Sequence, residues 1–289
     1  MLFGRLITAM VTPFDDNLRV DYAAVERLLD HLFATGTDSV VVAGTTGESP
    51  TLSKEEKLEL FRFVVEKVRG RGKVIAGTGG NNTAEAVKLT QLAEEAGVDG
   101  ILSVVPYYNK PSQEGLYQHF RAIAESTRLP IMLYNIPGRT GVNLSAEMVV
   151  RLSAIDNIVA VKESSGNLSQ MATIIEQTPD DFLLYSGDDY LTLPALAVGA
   201  VGVVSVASHV VGREIKEMME AFFAGDVTHA AALHRKLLPL FEGLFMAPNP
   251  VPVKAALNMM GIPVGGVRLP LVPLDENQRQ ALAKLLPRR

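Results

Sequence analysis

The chain has 289 residues, 47% of them apolar, and carries 27 Lys and Arg against 32 Asp and Glu, a formal net charge of −5. That balance is ample for one large folded core and offers no basic field to hold nucleic acid or an anionic membrane surface. The absence of cysteine excludes a disulfide framework and a thiolate metal site, and Met1-Leu2-Phe3-Gly4-Arg5 leads into no long apolar run, so the expected setting is the cytoplasm.

Short β-branched runs alternate with longer helical patterns along the chain. A strand over residues 6–10 is followed by a helix over 21–35. The same pairing recurs as 39–43 with 53–69, 74–76 with 83–96, 100–103 with 112–126, 131–134 with 145–153, 158–161 with 168–177 and 183–185 with 189–198. An eighth strand is expected over 201–204, and beyond about residue 211 only helices, near 212–224, 228–246, 250–260 and 275–286. Ser53-Lys54-Glu55-Glu56 is a capping box and marks one helix start.

Repeats of roughly 25–30 residues predict a (β/α)8 TIM barrel, an α/β fold, with a C-terminal helical appendage. The expected division is 1–224 for the barrel and 225–289 for the helical region, and the link over 261–273 suggests no chemistry. An open doubly wound sheet would place a Gly-rich fingerprint after its first strand. Here that strand leads into Val11-Thr12-Pro13-Phe14, and Gly77-Thr78-Gly79-Gly80 follows the third strand without dinucleotide spacing.

Active groups in such a barrel gather at the carboxyl ends of strands. Lys162 follows the apolar run Ile158-Val159-Ala160-Val161, where burial favours a neutral amine, a nucleophile for carbonyl carbon. Lys73 precedes its strand and belongs at the opposite face. The other strand ends deliver Gly44-Thr45-Thr46-Gly47-Glu48-Ser49, Pro106-Tyr107-Tyr108-Asn109, Tyr134-Asn135 with Arg139 close behind, Ser186-Gly187-Asp188-Asp189, and Val204-Ser205. An amine, phenols and a hydroxyl make a proton relay, and Arg139 offers a planar fork for a carboxylate. Taken singly, the Gly-Thr-Thr-Gly segment reads as a turn and the Tyr-Tyr pair as packing. The five histidines, at 31, 119, 209, 229 and 234, have no ligand spacing, so no metal is expected.

Four segments, Gly44-Thr45-Thr46-Gly47-Glu48, Tyr107-Tyr108-Asn109-Lys110-Pro111, Tyr134-Asn135-Ile136-Pro137-Gly138-Arg139-Thr140-Gly141 and Val161-Lys162-Glu163, resemble the dihydrodipicolinate synthase (4-hydroxy-tetrahydrodipicolinate synthase) family of pyruvate-dependent class I aldolases. Thr45-Thr46, Arg139, the segment 186–189 and Asn249-Pro250-Val251-Pro252-Val253-Lys254 look like the synthases rather than the N-acetylneuraminate and keto-deoxy sugar-acid lyases of the same superfamily. The resemblance implies a lyase that condenses pyruvate with L-aspartate 4-semialdehyde on the way to diaminopimelate and lysine, with no cofactor. By resemblance Lys162 forms the imine, Tyr134 moves protons, and Thr45 links Tyr134 to a Tyr108 supplied by a neighbouring subunit. Thr46, Gly187 and the backbone at Val204 contact pyruvate, and Arg139 takes the semialdehyde carboxylate. A homotetramer built as a dimer of dimers is implied, as is a lysine site of Ser49, Lys54, Lys57, Asn81, Glu85 and Tyr107. Lys54 and Lys57 stand where lysine-inhibited members often carry histidine, which disfavours a cationic inhibitor; alternatively both face solvent, paired with glutamates on their helix. The other readings are a sugar-acid lyase with the same imine chemistry and an idle barrel that binds pyruvate or an amino acid.

Overall fold

In a computed structural model, which describes residues 2–287, the β-branched runs form eight parallel strands that close in sequence order into a barrel. They are β1 Leu6–Ala9, β2 Ser39–Val42, β3 Lys73–Gly77, β4 Gly100–Val104, β5 Ile131–Asn135, β6 Ile158–Glu163, β7 Leu183–Ser186 and β8 Gly202–Ser205. Between and after them run α1 Tyr22–Ala34, α2 Lys54–Val68, α3 Thr83–Glu95, α4 Gln113–Glu125, α5 Pro137–Thr140, α6 Ala146–Leu152, α7 Leu168–Gln177, α8 Thr192–Ala197, α9 Ser208–Phe223, α10 Val227–Gly243, α11 Val251–Met259 and α12 Glu276–Ala283.

The strands are buried on both faces, and their alternation divides two cores. Ile7, Val41, Ile75, Leu102, Met132, Ala160, Tyr185 and Val204 point into the barrel and fill it, with Phe3 joining them. Their neighbours Leu6, Val40, Val74, Ile101, Leu133, Val161 and Leu184 face the helix ring. Helix starts are set by side chains that satisfy free backbone amides: Asp21, Ser53, Asn82, Ser112, Ser145 and Asn167 each cap the helix that follows. Each such cap is worth about 1 kcal/mol. The capping box at Ser53 and Glu56 forms as its spacing predicts. Lys73 opens β3 at the far face and pairs with Asp99 at 2.8 Å.

Four local features depart from expectation. The sixth strand continues through Lys162 and Glu163, so the lysine lies inside the strand rather than after it. Pro137, with its preset φ, and Gly141 at φ 76 bracket the single turn α5, too short to show a helical period. The helix expected from 212 begins at Ser208, directly after β8, and breaks at Val211 (φ −131, ψ 41). Its first turn is hidden in an apolar stretch that reads as more strand, and it is tied down by the Ser208 amide donating to Ser205 Oγ at 2.8 Å. Finally, the link over 261–273 has a bracing role: the Arg268 guanidinium donates to the carbonyls of Leu18 and Thr51 and to Glu56. Among the described residues no helix is long and apolar enough to cross a membrane.

Candidate active site

Lys162 and Tyr134 meet because of a slip in register between β5 and β6. Ile131 pairs with Ile158, but Met132 pairs with Ala160, so Val159 is an extra residue in β6, and beyond it Tyr134 stands beside Lys162. Paired residues of a parallel sheet point to the same side, and both side chains therefore enter the barrel. Lys162 is 5% exposed, and its Nζ lies 4.0 Å from the centroid of the Tyr134 ring. Among the described residues it forms no ion pair. Next in the strand, Glu163 points outward and is fully buried, accepting from Asn135 Nδ2 at 3.0 and 3.2 Å, from the Ser165 amide at 2.7 Å and from Gln170 Nε2 at 3.1 Å. This outer carboxylate braces the strand ends that carry the inner pair.

On the other side of Lys162 lies Gly187, where a methyl group would overlap Ser164 Oγ and sit 2.9 Å from Lys162 Cε. A side chain here would force Ser164 and Lys162 to shift, and glycine leaves the lysine its path. The carboxyl of Asp188 is pushed up to about 6 by burial, which outweighs the opposing pull of the Lys162 ammonium. Asp189, raised by burial although it is well hydrogen-bonded, accepts from the hydroxyl of Ser205 and from the amides of Val206 and Ala207 at 3.0 and 2.9 Å. It holds the turn that follows β8. Val204 is fully buried in that strand and faces the interior.

Above this layer opens a cavity of about 740 Å³ whose wall includes Thr45, Tyr108, Tyr134 and Arg139. Lys162 is not part of the wall; its amine reaches Tyr134, which is. Lys57, Lys110 and Arg139 line the cavity and, among the described residues, no carboxylate does, so its potential is positive. Tyr108 is 89% exposed on a loop where its φ is 73. No hydrogen bond joins Thr45, Tyr108 and Tyr134 among the described residues. The three share a wall without forming a relay inside one chain.

A smaller cleft of about 290 Å³ lies beside the mouth, lined by Lys54, Lys57, Asn81, Glu85 and Tyr107. Ser49, expected with them, lines the larger cavity instead, while Lys57 and Tyr107 border both. Neither Lys54 nor Lys57 has a carboxylate partner among the described residues, contrary to pairing with glutamates of the same helix. Burial lowers the Lys57 ammonium below its ordinary pKa.

The loop after β2 is held from the C-terminal region. Glu48 sits at φ 56 and is 2% exposed, and its Oε1 accepts from Lys254 Nζ at 2.7 Å while Oε2 accepts from the Arg268 amide at 2.9 Å. Lys254 Nζ donates also to the Gly266 carbonyl at 2.6 Å and lies 4.0 Å from the Phe14 ring centroid. Burial pushes this lysine down to about 8, with Glu48 opposing. One step back, Asn249 Nδ2 donates to Thr46 Oγ1 at 2.9 Å. Sequence reasoning quoted Glu48, Asn249 and Lys254 as parts of motifs and assigned them no contact. The available signal was a lysine on the apolar face of a short helix, where a buried charge requires a partner.

The profile of the dihydrodipicolinate synthetase family matches residues 2–289. A 4-hydroxy-tetrahydrodipicolinate synthase of Halalkalibacterium halodurans is 63% identical over 286 residues, which are 99% of this chain and 98% of that protein. Among solved structures, a dihydrodipicolinate synthase from Bacillus anthracis superimposes with a TM-score of 0.97 at 57% identity, covering 99% of both chains. One from Cyanidioschyzon merolae, solved with lysine bound, does so with a TM-score of 0.97 at 52% identity, covering 98% of this chain and 97% of that one.

Proposed function

The chain belongs to the dihydrodipicolinate synthetase family, and from that membership we propose that it is a lyase condensing pyruvate with L-aspartate 4-semialdehyde to 4-hydroxy-tetrahydrodipicolinate, in diaminopimelate and lysine biosynthesis. The observation that carries the reading is the pairing of Lys162 with Tyr134 at the barrel mouth: a buried amine without a carboxylate partner, stacked on a phenol that opens onto a cationic cavity. Lys162 attacks the keto carbon of pyruvate, and loss of water gives a protonated imine. The imine draws electrons from the adjacent methyl group, which loses a proton and becomes an enamine. The enamine carbon bonds to the aldehyde carbon of the second substrate, whose oxygen takes up a proton. The semialdehyde's own amino group then displaces Lys162 from the imine carbon, closing the ring and restoring the amine.

Tyr134 is the proton donor and acceptor of these steps, and its place against Lys162 supports that role. Thr45 and Tyr108 complete the path to solvent. Because Tyr108 projects almost fully exposed from its own chain, it is supplied to the site of a second copy, within a homotetramer built as a dimer of dimers. Thr46, Gly187 and the Val204 backbone hold pyruvate, and the Arg139 guanidinium, which has no carboxylate partner among the described residues, takes the semialdehyde carboxylate; three cations lining the cavity favour the carboxylate that each substrate carries. No cofactor takes part, and the setting is cytoplasmic. Residues 1–224 supply the reacting groups, while 225–289 brace the mouth through Asn249, Lys254 and Arg268. The cleft at Lys54, Lys57, Asn81, Glu85 and Tyr107, with Ser49 nearby, is the lysine site of the family in a form unfavourable to a cation.

Borohydride reduction in the presence of pyruvate, followed by peptide mass spectrometry, is expected to place the adduct on Lys162. A coupled assay is expected to give turnover with pyruvate plus aspartate semialdehyde and none with pyruvate plus N-acetylmannosamine. An adduct on another lysine, no adduct, or the reverse substrate preference overturns the proposal.

A further inference from the structure

We propose that Asn249 is a positioning residue for pyruvate: its side-chain amide holds the Thr46 hydroxyl so that the hydroxyl proton is offered to the substrate carboxylate. The inference deepens, and rests on, the reading of the barrel mouth as a pyruvate-imine site. Thr46 and Asn249 are 2% and 7% exposed and stand 203 residues apart in sequence, joined by the bond from Asn249 Nδ2 to Thr46 Oγ1 at 2.9 Å. A threonine hydroxyl has one proton and two acceptor positions. Here an acceptor position is occupied by the Asn249 amide, and the proton reaches no acceptor among the described residues. A buried donor held without a partner, next to Thr45 on the cavity wall, fits an anionic oxygen arriving from the cavity.

The holder is itself held. The Val251 amide donates to the Pro248 carbonyl at 2.9 Å and the Lys254 amide to the Pro250 carbonyl at 3.1 Å, while Lys254 Nζ and the Arg268 amide grip Glu48, two residues beyond Thr46. Both ends of the Asn249–Thr46 bond are thus fixed by the same segment. Direction matters as much as distance. Among the described residues Asn249 Oδ1 has no partner. Were the amide reversed, Oδ1 would accept the Thr46 proton and leave none for a substrate oxygen, so an amide donor at this position and an acceptor have opposite consequences for pyruvate.

The test is a cycle of Asn249→Leu, which keeps the branched shape of the side chain and removes the donor, with Thr46→Val, which removes the hydroxyl. Pyruvate KM, kcat and the extent of borohydride-trapped imine are measured on the intact oligomer. Each single variant is expected to raise the pyruvate KM by on the order of tenfold with a smaller change in kcat, and the double variant to be no worse than Thr46→Val alone. Asn249→Asp, similar in shape but presenting acceptors to Thr46, is the second variant; it is expected to weaken pyruvate in the parent background and to do nothing further beside Thr46→Val. The inference is overturned if the Asn249 variants leave pyruvate KM within about twofold of wild type, if Thr46→Val does so, or if the effects multiply in the double variants. Wild type separates this result from the reading beneath it: a normal Lys162 adduct with an inert Asn249 overturns only the positioning role, whereas no wild-type adduct overturns the imine.

Discussion

Replacing Lys254 with methionine tests the brace behind the Thr45–Glu48 loop. The side chains of Lys254 and Glu48 are 2% and 1% exposed, so the variant leaves a carboxylate in a dry site where, among the described residues, the Arg268 amide is its one remaining hydrogen-bond donor. Breaking one side of such a buried pair costs about 3–5 kcal/mol. At the roughly 2 °C per kcal/mol that applies to a chain of this size, Tm falls by roughly 6–10 °C. Removing both charges behaves differently. Burial pushes Lys254 down to about 8 in spite of Glu48, so the attraction of Glu48 does not fully offset the desolvation of this ammonium. The double variant Glu48→Gln, Lys254→Met is therefore expected to recover most of the lost Tm, and a coupling of about 2 kcal/mol or more should appear in the cycle. Scanning calorimetry on the four proteins at fixed protein concentration measures this. The reasoning is refuted if Lys254→Met melts within about 2 °C of wild type, or if the double variant falls by the sum of the singles.

Tyr134→Phe keeps the ring under Lys162 and removes its proton, so kcat should fall by roughly 10²–10⁴-fold with unchanged circular dichroism; an unaltered rate makes Tyr134 a packing residue. Arg139→Ala is expected to raise the semialdehyde KM far more than it lowers pyruvate imine trapping, and equal damage to both points to a structural role. His209 is fully buried with Nε2 accepting from the Val11 amide and Nδ1 donating to the Val206 carbonyl, and burial pushes its pKa down to about 4. An unfolded chain takes up this proton near pH 6.5 and the folded chain does not, so its contribution is lost as pH falls from about 6.5 to about 4. His209→Gln should reduce the slope of unfolding free energy against pH by up to ~1.4 kcal/mol per unit in that window, and identical slopes exclude the effect. Free L-lysine, facing the unpaired ammonium groups of Lys54 and Lys57, is expected to half-inhibit only above about 1 mM; half-inhibition below that, or about 4 kcal/mol of binding, contradicts the charge argument.

The barrel and much of its mouth are legible in the chain alone because the signals are local. Eight β-branched runs, the capping side chains and the position of Lys162 at the carboxyl end of its strand are each written within a few residues. The tertiary structure decides what those residues face. The extra residue Val159 brings Lys162 beside Tyr134, and no composition or period distinguishes it from its apolar neighbours, since the slip exists only relative to β5. The grip of Asn249 on Thr46 and of Lys254 on Glu48 spans 203 and 206 residues. A hydroxyl or a buried charge states that it needs a partner, but the partner is chosen by the closed barrel, which carries the chain's last helices back to the loop after its second strand.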